Sequence, residues 1–268
     1  MSAPPVLSPD PRIRLEFPDG QIAVVVFDRP DKRNAFDLAM WRALQAVMEG
    51  LSADTSLRCV VLRGAGAEAF SAGADISAFA EERGTREKEE VYGRALHESL
   101  QAVRTCLHPT VAMIRGVCLG GGAGIATMCD FRVGGEGIRF GITARSLGIW
   151  YPYAEMDPVI QMVGTGVAAE VFIEGRVFSG REAYEKGLLS RLVPDERVEE
   201  EAMALARRIA EGAPLSARFH KRAILKLRGP LPISPEEAAA VNDFVLTEDF
   251  RNAFRAFLDK RPPKFEGR

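Results

Sequence analysis

Cysteine is scarce, histidine scarcer, and no region carries a strong excess of basic residues; each shortage argues against a class of function. The four cysteines, Cys59, Cys106, Cys118 and Cys129, show no C-x-x-C spacing and no histidine at metal-site intervals. That pattern argues against a zinc site and a disulfide framework, so no metal is expected and the thiols read as free and buried, in a reducing compartment. A net charge of −2 and a pI near 6.0 supply no field that would gather nucleic acid or an anionic membrane. Any anionic ligand must therefore be held by a few local cations. No run reaches the ~18 apolar residues of a membrane span. Residues 1–11 are rich in proline and small residues but lack the basic patch and apolar run of a signal peptide, and they read as a flexible leader. A cytoplasmic location is the expectation.

What is present suffices for one large α/β domain or two smaller ones: 268 residues, 47% hydrophobic and 27% charged. β-rich runs at 13–17 and 22–27 flank Pro18-Asp19-Gly20, so a hairpin opens the fold. After a loop at 28–34, Leu38, Trp41, Leu44, Val47, Met48 and Leu51 recur at helical spacing. A buried-type strand at 59–62 precedes a long helical stretch between Thr85 and Leu107, whose charged opening Arg86-Glu87-Lys88-Glu89-Glu90 reads as a solvated face. Pro109 stops that helix. A central strand at 110–117, a triple-glycine turn and an apolar helix at 125–129 follow, with short strands at 131–133, 138–140 and 189–193. Beyond Pro152 the pattern is mostly helical, with helices at about 196–211, 216–227 and 235–258. The last has Ser234 as N-cap, Pro235 at N1 and an acidic first turn. The organisation expected is a leader at 1–11, an α/β core at 12–193 and a C-terminal helical region at 194–268 that serves packing or oligomerisation.

Two glycine-punctuated turns carry the main functional signal: Phe70-Ser71-Ala72-Gly73-Ala74-Asp75-Ile76 and Gly120-Gly121-Gly122-Ala123-Gly124. Each ends a strand and opens a helix, where peptide N–H groups have no intrahelical acceptor and are free to point at a developing negative charge. Together they read as two halves of one oxyanion hole.

These turns, with Asp28-Arg29-Pro30-x-Lys32-x-Asn34-Ala35, Gly116-x-x-x-Gly120, Met128-Cys129-Asp130 and Ala183-x-x-x-Gly187-Leu188-Leu189, resemble the crotonase, or enoyl-CoA hydratase/isomerase, superfamily. The motifs span most of the chain in the family's order, which makes the resemblance more specific than a lone glycine motif. It implies a ββα spiral core followed by C-terminal helices that build a homotrimer or hexamer. It also implies an acyl-CoA thioester as partner, coenzyme A entering as part of the substrate, and no separate cofactor. The oxyanion donors carry over to the N–H groups of Ala74 and Gly121. Glycine at 120–122 lets a ligand approach the backbone closely, and Ala72, Asp75, Ile76 and Ser77 follow as walls for the CoA portion. Family members often carry lysine where Ser77 stands; Lys32, Arg33, Lys260, Arg261 and Lys264 are the cations available to compensate.

The resemblance also exposes two vacancies. The positions of the two hydratase glutamates fall on Gly124 and, within Phe140-Gly141-Ile142-Thr143-Ala144, on Ala144. Adding water across a double bond needs a base and an acid, and neither residue supplies one. Leu147-Gly148-Ile149-Trp150-Tyr151-Pro152-Tyr153-Ala154-Glu155 is expected to line the acyl pocket, with Trp150 as wall. Tyr151 is the best-placed replacement, since decarboxylating relatives carry tyrosine at the corresponding spot. His97 is the second, because dehalogenating relatives place a working histidine near there, although their nucleophilic aspartate falls on Pro152. Glu155 and Asp157 come next. The chemistry implied is stabilisation of a thioester enolate or oxyanion; hydration, isomerisation, decarboxylation, thioester hydrolysis and silent acyl-CoA binding all remain open.

Overall fold

The computed structural model describes residues 6–228 and 235–263. The first five residues of the leader, the expected cap Ser234 and the candidate cation Lys264 lie outside the described residues. Strands β1 (Ile13–Glu16) and β2 (Ile22–Phe27) form the expected antiparallel hairpin, Ile13 opposite Phe27. Strands β3 (Cys59–Gly64), β5 (Thr110–Ile114), β7 (Phe131–Gly135) and β10 (Arg191–Val193) extend it in parallel, in the order β1-β2-β3-β5-β7-β10. A second sheet joins β4 (Ala69–Ser71), β6 (Val117–Leu119), β8 (Arg139–Gly141) and β9 (Phe178–Ser179).

Each of β3, β5 and β7 is followed by a short strand of the second sheet and then by helix, which is the ββα spiral. The helices are α1 (Leu38–Ala53), α2 (Phe79–Glu82), α3 (Arg86–Thr105), α4 (Gly121–Met128), α5 (Tyr153–Ala169), α6 (Gly180–Glu185), α7 (Val198–Glu211), α8 (Pro214–Arg228), α9 (Pro235–Ala240) and α10 (Glu248–Leu258). The sheet is covered on both faces. One cluster joins Val25, Phe27, Leu62 and Ala112 to α1, α3 and α4, and the other packs Val24, Val61 and Val111 under Ala202 and Leu205 of α7. Burial on both faces explains why β2 reads as an uninterrupted apolar run with no residue exposed.

Several local expectations are corrected. The strand expected at 110–117 is two strands in different sheets, parted at Arg115-Gly116. Gly116 has φ +58, and a Cβ there would stand 2.0 Å from the Glu68 carbonyl oxygen, so the chain crosses between sheets where only glycine fits. The single helix expected at 235–258 is three segments, α9, a 3-10 turn at Val241–Leu246, and α10, because the Thr247 side chain accepts the Phe250 N–H and caps a new helix. The charged opening of α3 is not wholly solvated: Glu89 is 3% exposed. Tyr153–Glu174, where no membrane-length run was expected, is long and apolar enough to span one, with a mean hydropathy of 1.2. Its Gly164 departs from helical geometry at φ 73, and Glu155 and Asp157 are buried against the rest of the fold. All four cysteines are free and buried, and desolvation pushes the Cys59 and Cys129 thiols up to about 12.

Candidate active site

The two glycine turns abut. A Cβ on Gly73 would lie 2.8 Å from the Gly121 nitrogen and 2.8 Å from the Leu119 carbonyl oxygen, so a side chain at 73 would cover the second turn. Gly73 also sits at φ +94, a backbone region that L side chains rarely adopt. Backbone bonds lock the first turn: Phe36 N–H donates to the Gly73 carbonyl at 2.7 Å, and Asp75 N–H donates to the Phe36 carbonyl at 2.7 Å. Buried Asn34 fixes the loop beneath, its amide donating to the carbonyls of Ala69 at 2.8 Å and Ala65 at 3.1 Å. Gly122 is pinned by packing, since a Cβ there would stand 2.4 Å from the Ser71 carbonyl oxygen. Among the described residues no hydrogen-bond acceptor faces the N–H of Ala74 or of Gly121.

Both turns open into one cavity of about 110 Å³. Of the residues singled out in the sequence, Ala72, Ala74, Ile76, Gly120, Gly121, Ala144, Leu147, Ile149, Trp150, Tyr151 and Pro152 line it, whereas Gly148, Tyr153, Ala154 and Glu155 of the expected run do not, α5 carrying the chain away from the cavity. Gly122, Gly124, Asp75, Ser77, Lys32, Arg33 and His97 stand outside this lining. Burial pushes the Asp75 carboxyl up, but hydrogen bonds from the Ser77 hydroxyl and N–H, together with the charge of Arg29 at 2.8 Å, hold it below the ordinary carboxylate range. Lys32 Nζ donates to the Ser77 hydroxyl at 3.3 Å, so an exposed ammonium does reach position 77. Arg33 shapes the first turn through its backbone, whose carbonyl accepts the Ala72 N–H at 2.9 Å.

Gly124 has a positive structural reason to lack a side chain. A Cβ there would stand 2.6 Å from the Tyr151 hydroxyl, so the phenol fills the space that a carboxylate stem would need. Tyr151 lies just before α5, its ring 5.3 Å from that of Phe172. No hydrogen bond joins its hydroxyl to another described residue. Burial, and then the charge of Glu155, raise its pKa well above the ordinary phenol value, so the group is a proton donor at neutral pH and not a base.

His97 belongs to the other side of α3, in an open groove with Gln45, Glu49 and Gln101. Its Nδ1 lies 2.5 Å from Oε1 of Glu155, which is fully buried and whose Oε2 has no partner among the described residues. The histidine thus holds the carboxylate that stands behind Tyr151 and does not face the cavity. The hydrogen bond to Glu155 raises the His97 pKa, against a smaller opposing effect of burial. A raised folded value means that protonated His97 contributes stability in full below its ordinary value of 6.5, and loses it as pH rises through the folded value. Thermal unfolding of the native protein is therefore expected to fall in Tm across that window, and His97→Gln to flatten the fall. Parallel profiles would show that this pair contributes nothing.

Sequence reading missed a polar group in the cavity wall: Arg83, Glu89 and Asn242, with the rings of Phe79, Tyr92 and Phe244. Arg83 and Glu89 sit in a mixed-charge stretch that carries no one-dimensional sign of burial. The cluster of Phe79, Phe244, Val245 and Phe250 brings the C-terminal segment back over Ala74, Ile76, Leu147 and Ile149. Trp41 and Tyr92 brace the floor: the indole N–H donates to the Tyr92 hydroxyl at 2.8 Å, and the indole ring would stand 2.9 Å from a Cβ on Gly121.

A spiral of ββα units with two abutting strand-to-helix turns over an apolar cavity defines the class, and comparison with known proteins places the chain within it. The enoyl-CoA hydratase/isomerase family profile matches residues 18–268. The chain belongs to that family. It is 30% identical over 253 residues to the short-chain-enoyl-CoA hydratase of Clostridium acetobutylicum, covering 93% of this chain and 95% of the relative. A crystal structure of an enoyl-CoA hydratase/carnithine racemase from Magnetospirillum magneticum matches with 38% identity and a TM-score of 0.79, over 96% of each chain. Methylmalonyl-CoA decarboxylase in complex with 2-nitronate-propionyl-CoA shares the fold at a TM-score of 0.86 and 23% identity, over 96% of this chain and 99% of that one.

Proposed function

We propose that the chain is an acyl-CoA enzyme that stabilises a thioester enolate between the N–H groups of Ala74 and Gly121, with Tyr151 as the proton donor to Cα. One observation carries this reading: the turns open two N–H groups without protein acceptors into a cavity whose only unpaired titratable lining group, among the described residues, is the Tyr151 phenol. Glu89 also lines the cavity, but it is engaged by Arg83 at 2.5 and 2.6 Å and offers no free carboxylate. Tyr92 already accepts from Trp41.

A donor without a base suits a reaction that generates the enolate by losing a group other than a proton. Decarboxylation of a 2-carboxyacyl thioester meets that requirement. The bond from Cα to the carboxylate breaks, its electron pair passes to the thioester oxygen, and carbon dioxide leaves. The enolate then takes a proton from Tyr151, and solvent restores it. Each oxyanion donor is worth about 3 kcal/mol of transition-state stabilisation by analogy with measured oxyanion holes. Apolar walls around the leaving carboxylate weaken its solvation and favour the step. A second reading, hydration of an enoyl thioester, is favoured by the similarity to the short-chain-enoyl-CoA hydratase of Clostridium acetobutylicum.

Mass spectrometry of a CoA-thioester panel turned over in heavy water separates the two. The expected result is loss of carbon dioxide from 2-carboxyacyl thioesters with one deuterium at Cα. Water addition to crotonyl-CoA at ordinary enzymatic rates, without decarboxylation, would replace this reading with the second.

A further inference from the structure

The cavity has a second polar pole, built by different elements from the glycine turns. Arg83 follows α2, Glu89 and Gly93 lie on α3, and Asn242 comes from the 3-10 turn near the C-terminus. Arg83 is 6% and Glu89 3% exposed, and Nε and Nη2 of the guanidinium donate to the two carboxylate oxygens at 2.5 and 2.6 Å. The guanidinium carbon lies 4.6 Å from the ring centres of Phe79 and Tyr92 and 5.3 Å from that of Phe244. Gly93 leaves the space beside the Asn242 amide open: a Cβ there would stand 3.5 Å from its Oδ1 and 3.9 Å from Oε1 of Glu89.

We infer that this pole recognises an acyl group bearing a neutral oxygen function, a ketone in the simplest case, which accepts hydrogen bonds from Arg83 and Asn242. The inference rests on the reading of the cavity as an acyl-CoA site. A guanidinium carries five N–H donors, and the pair with Glu89 uses two; none of the Nη1 donors meets an acceptor among the described residues. A buried ion pair is costly to desolvate and is seldom a net gain over apolar packing, so its place in a substrate cavity calls for a polar occupant. Charge selects among occupants. Arg83 and Glu89 cancel, so a carboxylate at this pole would leave one uncompensated buried negative charge beside Glu89. An alkyl terminus would bury donors without acceptors. A ketone oxygen satisfies the donors and adds no charge.

Calorimetric titration with saturated acyl-CoA thioesters of matched lengths, ending in methyl, ketone or carboxylate, tests this without relying on turnover. Binding of the ketone series is expected to be roughly ten- to a hundredfold tighter than that of the methyl series, the range for hydrogen bonds to a charged donor. The carboxylate series is expected to bind no better than methyl. The double variant Arg83→Met with Glu89→Leu, which removes both charges together, is expected to erase the ketone preference, and Asn242→Leu to reduce it. If the double variant does not fold, the three series on the unmodified protein decide. Equal binding of all three, or tightest binding of the carboxylate, overturns the inference while leaving the acyl-CoA site in place. Failure of every CoA thioester to bind overturns the acyl-CoA reading itself.

Discussion

Tyr151→Phe is expected to lower kcat by a factor of about 10²–10⁴, the usual contribution of a positioned acid, while KM and Tm stay nearly constant. The separation follows from the contacts of the side chain. Its ring packs against Phe172, and phenylalanine keeps that packing. Its hydroxyl joins no other described residue, so its removal strands no buried partner and costs little stability, within about ±0.5 to 1 kcal/mol. What is lost is the polar group that reaches the space beside Gly124, where the other neighbour is the apolar Leu100 side chain. If decarboxylation is the reaction, the variant is expected to retain part of its carbon dioxide release and to lose control over where Cα is protonated, because the proposed backbone donors are untouched by the substitution. Single-turnover assays that follow carbon dioxide and Cα deuterium separately measure this. Unchanged kcat with unchanged deuterium incorporation would return Tyr151 to the role of a pocket wall.

Gly73→Ala carries the second large effect. Two costs arise from one methyl group. The backbone at φ +94 disfavours any L side chain, by roughly 1–2 kcal/mol, and the methyl would stand 2.8 Å from the Gly121 nitrogen, shielding that N–H from the cavity. Loss of one oxyanion donor is expected to lower kcat by about 10²–10³, beyond what the fall in Tm explains at temperatures where the variant remains folded. Gly20→Ala serves as the control, since its φ of +68 also disfavours an L side chain, on an exposed turn where a Cβ meets nothing within 4 Å. Equal loss of activity in both variants would mean that global stability, and not the oxyanion pair, governs the result.

The glycine turns were legible in the sequence because close backbone approach and positive φ leave glycine few substitutes, and that constraint is written in the residue itself. The alternation of strand and helix was legible for a similar local reason, as the uninterrupted apolar run of β2 shows. Gly124 was legible only as a missing acid. Its complement is a phenol that reaches back from the start of α5, a contact between distant segments that no local pattern records. His97 and Glu155 were each visible, but their pairing across α3 and α5 was not, and it moves the histidine from the cavity to the carboxylate behind it. Arg83 and Glu89 were hidden most fully. A charged residue in a charged stretch reads as solvated until three aromatic rings, one of them from the C-terminal segment, are folded over it.

Isotope-edited vibrational spectroscopy of an acyl-CoA labelled at the thioester carbonyl measures the central claim directly, because the two backbone donors proposed at Ala74 and Gly121 would polarise that bond in the bound ligand. The account predicts a clear shift of the carbonyl stretch to lower frequency on binding, reduced in Gly73→Ala and retained in Tyr151→Phe. A carbonyl that stays at its free-solution frequency while the thioester is bound would contradict it.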